Sequence, residues 1–231
     1  MQQSRHETER LSFAVADDVS VSALLQAPPA AHTVLVLAHG AGAGMAHAFM
    51  TALAEGLAAR GVATLRYQFP YMERGSKRPD PPALAHATVR AAAAEAFKHF
   101  PKLPLFAGGK SFGGRMTSQA QAKAPLQDVR GLVFVGFPLH PAGKPSQERA
   151  KHLADVQIPM LFLQGTRDAL AEFTLLEPVC KALKPRATLK LFADADHSFH
   201  VPAKSGRKDA EVLSELLDAT AVWMKDHAQG A

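Results

Sequence analysis

Short runs of aliphatic and β-branched residues alternate along the chain with longer stretches in which apolar positions recur at helical spacing. The runs predict strands over 19–26, 33–37, 63–68, 105–107, 131–136, 160–164 and 188–192. The stretches between them predict helices over 46–60, 83–100, 112–123, 170–183 and 208–226. Val34-Leu35-Val36-Leu37, Leu132-Val133-Phe134-Val135 and Met160-Leu161-Phe162-Leu163 are apolar at consecutive positions, so both faces of these strands must be covered. Strand, crossover helix and parallel strand, repeated in this order, predict an α/β fold: a mostly parallel, doubly wound sheet with helices on both faces. Such sheets bind ligands beyond the carboxyl ends of their strands, so the chemistry is expected in the loops that follow strands.

The Pro/Gly clusters at 27–30, 75–82 and 138–145 are local and read as loops within one domain spanning 1–231, with residues 1–10 as a flexible start. The segment 138–159 is the one sizeable insertion after a strand. It has room for a short helix at 147–153 but not for a large lid, so the cap is minimal.

Composition narrows the function classes. With 231 residues, 47% of them hydrophobic and 20% charged, the chain can bury a full core, which excludes a disordered tail or a disulfide-stapled miniprotein. Lys and Arg number 26 against 21 Asp and Glu, a net charge of +5, yet the basic residues occur as scattered pairs such as Lys77-Arg78 and Arg207-Lys208. That is a solvated basic surface, and no nucleic-acid partner is expected. Cys180 is the only cysteine and sits in a stretch with helical spacing, which makes it a small core residue and rules out an internal disulfide. The polar start and the absence of long apolar strings lead to the expectation of a cytoplasmic protein with no membrane contact.

The segment Gly109-Lys110-Ser111-Phe112-Gly113-Gly114 falls between a predicted strand and a predicted helix and matches the G-x-S-x-G nucleophile elbow. A serine on so sharp a turn projects its hydroxyl above the sheet, and side chains two residues to either side would strike neighbouring backbone. The following helix aims its amino end at the same point, where developing negative charge is favoured. Ser111 is therefore the candidate nucleophile.

An activated serine needs a base and a group that orients the base. The strand 160–164 runs into Gly165-Thr166-Arg167-Asp168, and the strand 188–192 into Ala193-Asp194-Ala195-Asp196-His197-Ser198-Phe199-His200. His197 lies closer to its strand end than His200 and is taken as the base, with His200 on the rim. Asp168 is preferred as the orienting carboxylate, because Asp194 and Asp196 share the histidine's own loop and suit turn chemistry. Asp168 can also cap a helix ahead of Leu170. Ser, Asp, His is the chain order of this arrangement on an α/β sheet.

The loop His39-Gly40-Ala41-Gly42-Ala43-Gly44 follows the strand 33–37, and the amides of Ala41 and Phe112 are assigned as oxyanion donors. A dinucleotide cradle is disfavoured: in G-x-G-x-x-G the sixth position would be His47 or Met45, and no P-loop lysine follows. His39 is expected to hold the loop. Gly40, Tyr71, Phe137 and His140 are candidate pocket residues, with Tyr67, Phe69 and Met72 beside them; all but Gly40 suit core packing at strand ends equally. Lys110 suits either a loop bond or an anionic substrate, and Arg115 a pairing with a loop carboxylate or carbonyl. The remaining histidines lack metal-site spacing, so no metal and no cofactor are expected.

The elbow, the Asp168 and His197 loops and the 39–44 loop together resemble the α/β-hydrolase superfamily over about residues 19–226. Three shorter motifs, Gly108-Gly109-Lys110-Ser111-Phe112-Gly113-Gly114-Arg115, Phe69-Pro70-Tyr71-Met72-Glu73 and Gly136-Phe137-Pro138-Leu139-His140, are similar to a dienelactone-hydrolase-like group. That group includes the testis-expressed hydrolase-like protein and a histone acetyltransferase complex subunit. The resemblance implies the α/β-hydrolase fold, an eight-stranded sheet whose missing first strand would lie in 10–16, and a nucleophile, acid and histidine after strands five, seven and eight. Dienelactone hydrolases proper carry a cysteine where this sequence has Ser111. The function expected is a serine hydrolase cleaving a small to medium carboxylic ester or related acyl compound. The second reading is a hydrolase-fold interaction module without turnover.

Overall fold

The computed structural model describes residues 7–229; residues 1–6, in the expected flexible start, lie outside the described residues. Residues 8–10 of that start are not loose, because the first strand, β1 (Thr8–Ala16), already includes them. The other strands are β2 (Val19–Gln26), β3 (Thr33–Ala38), β4 (Val62–Tyr67), β5 (Leu105–Lys110), β6 (Val129–Val135), β7 (Met160–Gly165) and β8 (Ala187–Phe192). They form one eight-stranded sheet in the order β1-β2-β4-β3-β5-β6-β7-β8. Only β2 runs against the rest, pairing antiparallel with β1 and β4.

Helices cover both faces, as the doubly apolar strands require. Val34 and Val36 of β3 and Phe134 of β6 face a core closed by α3 (Pro82–His99), α4 (Phe112–Lys123) and α5 (Phe173–Ala182). Leu35, Leu37, Val133 and Val135 point the opposite way, against α1 (Ala48–Ala58) and α6 (Asp209–Asp226), where Leu53, Leu57, Leu216 and Met224 are buried. Alternate residues of one strand thus feed two cores. A short α2 (Pro70–Glu73) follows β4, with Pro at its first position where the missing amide costs nothing.

Most element ends fall within two residues of the sequence reading; β5 and α5 differ more, and the 138–159 insertion takes its own form. Strand β5 continues through Gly108 to Lys110, because a Cβ at Gly108 would lie 1.9 Å from the Val133 carbonyl oxygen; these glycines let neighbouring backbones close up and do not end the strand. Helix α5 begins at Phe173, not at 170, since the Asp168 carboxylate holds the Leu170 amide in a turn ahead of it. The 138–159 insertion folds as an exposed turn and a 3-10 helix, Glu148–Asp155, whose Leu153 is buried in the α4 core.

Candidate active site

The carboxyl ends of β3, β5, β7 and β8 meet at Ser111. Strand β5 delivers the serine at φ 51° and ψ −114°, a left-handed conformation rare outside glycine, which stores backbone strain at this turn. The turn is possible because Gly113 has no side chain: a Cβ there would lie 2.6 Å from the carbonyl oxygens of both Ala38 and His39. The elbow and the end of β3 are consequently in backbone contact, and Gly40 sits against Ser111 with its Cβ position 3.9 Å from the serine Cβ.

From Ser111 a continuous chain of hydrogen bonds runs inward. The Ser111 Oγ is 2.9 Å from His197 Nε2, and His197 Nδ1 is 2.7 Å from Asp168 Oδ2. Asp168 is 3% exposed, so its carboxylate must be satisfied by protein groups. Oδ1 accepts from the Leu170 amide at 2.8 Å, while Oδ2 also accepts from Gln164 Nε2. Gln164 is itself fixed, because its Oε1 accepts from the Phe137 amide at 2.9 Å. Sequence reasoning missed Gln164, a buried polar residue inside an otherwise apolar strand, which is the signal that could have found it.

The rest of the histidine loop behaves as turn chemistry. Asp196 Oδ1 accepts from the amides of Ser198 and His200, and Asp194 adopts φ 59°. His200 points outward to Asp209 at the start of α6, 2.8 Å away, and takes no part in the chain to Ser111.

The loop after β3 is held from behind. Buried His39 donates from Nδ1 to the Gly40 carbonyl at 2.7 Å and accepts the Phe69 amide on Nε2 at 3.1 Å, which fixes a neutral tautomer. Burial lowers its pKa despite the bond to Gly40. Tyr71 donates its hydroxyl to the Ala41 carbonyl at 2.9 Å, and burial, with Asp80 nearby, pushes that phenol up to about 12. The carbonyl of Ala41 is thus engaged, and its amide belongs to the loop whose Gly40 lies against Ser111. Neither this amide nor that of Phe112 finds an acceptor among the described residues.

The family described as Alpha/beta hydrolase domain matches residues 31–225, most of the chain. The chain belongs to the alpha/beta hydrolase family. Dienelactone hydrolase from Anabaena variabilis is similar over 97% of this chain and 100% of its own, with a TM-score of 0.79 and 21% identity. A serine hydrolase without lid from Xanthomonas campestris covers 94% of this chain and 95% of its own (TM-score 0.72, 21% identity). A cold-adapted esterase from an Arctic intertidal metagenomic library covers 99% and 97% (TM-score 0.70, 16% identity). These structures share the fold of the present hydrolase.

The expected pocket of the hydrolase needs correcting. Tyr71 and His140 are 0% exposed and Phe137 is 1% exposed, so they pack behind the site and do not wall a cleft open to solvent; Gly40 alone of the four reaches the surface. His140 is held through Nδ1 by the Pro141 carbonyl at 2.8 Å; Glu172 Oε2 comes within 2.6 Å of its Nε2 but without the angle of a hydrogen bond. Tyr67 and Phe69 are buried too, in an aromatic group with Phe112. Arg115 also departs from expectation: it forms no ion pair among the described residues, and its guanidinium lies 5.9 Å from the Phe112 ring centroid. Cys180 is buried, and burial pushes its thiol up to about 12, as suits a packing residue. No helix is long and apolar enough to cross a membrane, and no group of metal-ligating side chains occurs among the described residues.

Proposed function

We propose that this chain is a serine hydrolase that cleaves carboxylic esters or related small to medium acyl compounds through an acyl-enzyme. The observation that carries the reading is the unbroken Ser111–His197–Asp168 hydrogen-bond chain on a strained elbow. Ser111 Oγ attacks the carbonyl carbon as its proton passes to His197 Nε2, and Asp168 holds the imidazole with Nε2 toward the serine. The amides of Ala41 and Phe112 receive the oxyanion, and the amino end of α4 favours its charge. Collapse returns the proton from His197 to the leaving alcohol, and water then repeats the sequence on the acyl-enzyme.

The substrate class follows from what surrounds the serine. The 138–159 insertion packs beside α4 and forms no lid, leaving Ser111 and His197 partly exposed. The Xanthomonas campestris relative is likewise described as without lid. An open site of this kind suits short and medium acyl groups better than long lipid chains, which need an enclosed apolar channel. Within the family, the three short motifs support assignment to the dienelactone-hydrolase-like group, with serine as nucleophile. We read the chain as one domain of a cytoplasmic protein acting on a small-molecule ester, without nucleic acid, membrane or cofactor.

Labelling with a fluorophosphonate probe tests this, with Ser111→Ala as control. The wild-type protein should label and the variant should not. Equal labelling of the two folded proteins would overturn the proposal in favour of a hydrolase-fold interaction module. A chain-length panel of activated esters then reads substrate size, and rates rising toward long acyl chains would refute the short-chain assignment.

A further inference from the structure

Lys110 directly precedes the nucleophile and is not used by the mechanism above. Although the residue as a whole is only partly buried, its ammonium end is enclosed. Nζ donates to the backbone carbonyl of His197 at 2.5 Å and lies 5.5 Å from the Phe199 ring centroid. The floor of this small space is Gly136, at the end of β6. A Cβ there would lie 3.0 Å from Lys110 Nζ and 3.4 Å from both Nδ1 and Cε1 of His197, so ammonium and imidazole edge share the room that the missing side chain leaves. Gly136 also has φ +71°, which disfavours any other residue.

The charged groups around the ammonium come from two elements. Asp168 reaches it from the loop after β7, and Asp196 and His197 from the loop after β8; the β6 side presents only Gly136. No carboxylate lies within ion-pair distance, so the His197 carbonyl is its one hydrogen-bond partner among the described residues. A buried cation with a single partner is costly to keep. What it secures is a second cross-link, beside the Ser111–His197 bond, between the elbow and the histidine loop, which are 87 residues apart in the chain.

We propose that Lys110 is a positioning residue for the general base: its ammonium fastens the His197 loop to the nucleophile elbow and keeps the imidazole in line with Ser111 Oγ. The inference rests on the serine-hydrolase reading for its effect on turnover, and on the contacts alone for its effect on His197. A protonated donor makes a stronger bond to the carbonyl than a neutral amine does, so the fastening weakens as Lys110 loses its proton. Burial, set against the pull of Asp168 and Asp196, brings that loss down to about pH 8.

The test is Lys110→Met, which keeps an unbranched side chain one atom shorter and removes the charge. On an activated short-chain ester, kcat should fall about ten- to a hundredfold with KM little changed, as for a displaced base. The wild-type kcat should decline across pH 8 and that decline should be missing from the variant. A variant with wild-type kcat and the same alkaline decline would overturn the proposal. Should the wild-type protein neither label nor turn over, the hydrolase reading fails, and the imidazole resonances of His197 decide this inference separately. They should shift near pH 8 in the wild type and not in Lys110→Met; identical titrations in the two proteins overturn it.

Discussion

Replacing Lys110 by Met should make the protein more stable while making it a poorer catalyst. The lysine's proton affinity drops from the ordinary 10.5 to about 8 in the folded chain, chiefly through burial. At about 1.4 kcal/mol per unit, folding around the charged form costs about 3 kcal/mol at neutral pH. The sign follows from proton counting. Between the folded value of about 8 and the unfolded value of 10.5, the unfolded chain binds more protons, so stability rises with pH through that window. The wild-type protein should regain about 2–3 kcal/mol from this group between pH 7 and pH 10. The variant has no such group, and it loses the bond to the His197 carbonyl, at about 1–2 kcal/mol. Its net advantage should therefore be about 1–2 kcal/mol at pH 7 and should vanish or reverse by pH 10. Urea unfolding of both proteins at several pH values measures this. A stability difference that stays constant from pH 7 to pH 10 would refute the premise that the ammonium is held at a cost.

Other substitutions probe the remaining parts of the site. His197→Ala should lower kcat on an activated ester by about 10^4-fold or more, close to the loss in Ser111→Ala, whereas His200→Ala should leave it within about twofold. Tyr71→Phe removes the hydroxyl that braces the Ala41 carbonyl, and should cost about 1–3 kcal/mol in unfolding free energy and lower kcat more than it raises KM. Gly113→Ala pushes a methyl against two carbonyl oxygens, and its urea midpoint should show a loss of about 3 kcal/mol or more.

The parts of the structure legible in the sequence are those written locally. Strands apolar at consecutive positions announced a sheet covered on both faces, and the glycines around Ser111 announced the sharp turn. The placing of Asp168 and His197 needed only the rule that chemistry follows strand ends. Strand β1 is an edge strand with a faint signal: Leu11, Phe13 and Val15 alternate, but Phe13 is its one buried residue and Leu11 and Val15 are half-buried, so the apolar face is short. The roles of Lys110, Gln164 and Tyr71 depend on contacts between residues far apart in sequence, which no local pattern encodes. Tyr71 and His140 follow strand ends, where both a cleft wall and core packing are open to them; each is buried with a backbone carbonyl as partner, that of Ala41 for Tyr71 and that of Pro141 for His140. Arg115 was expected to pair with a loop carboxylate or carbonyl, but its position one helical turn beyond Ser111 sets it beside the Phe112 ring.

The exposed turn at 141–146 offers a way to rebuild this protein. Its backbone bonds are local, such as that from the Lys144 amide to the Pro141 carbonyl, and none reaches the groups that hold Ser111, His197 or Asp168. An insertion grafted there would leave the hydrogen bonds of Ser111, His197 and Asp168 undisturbed while extending the chain on the side of the sheet where β6 ends. On the serine-hydrolase reading, substrate choice is then separable from chemistry: the sheet would carry the reaction, and one surface turn would decide what reaches it.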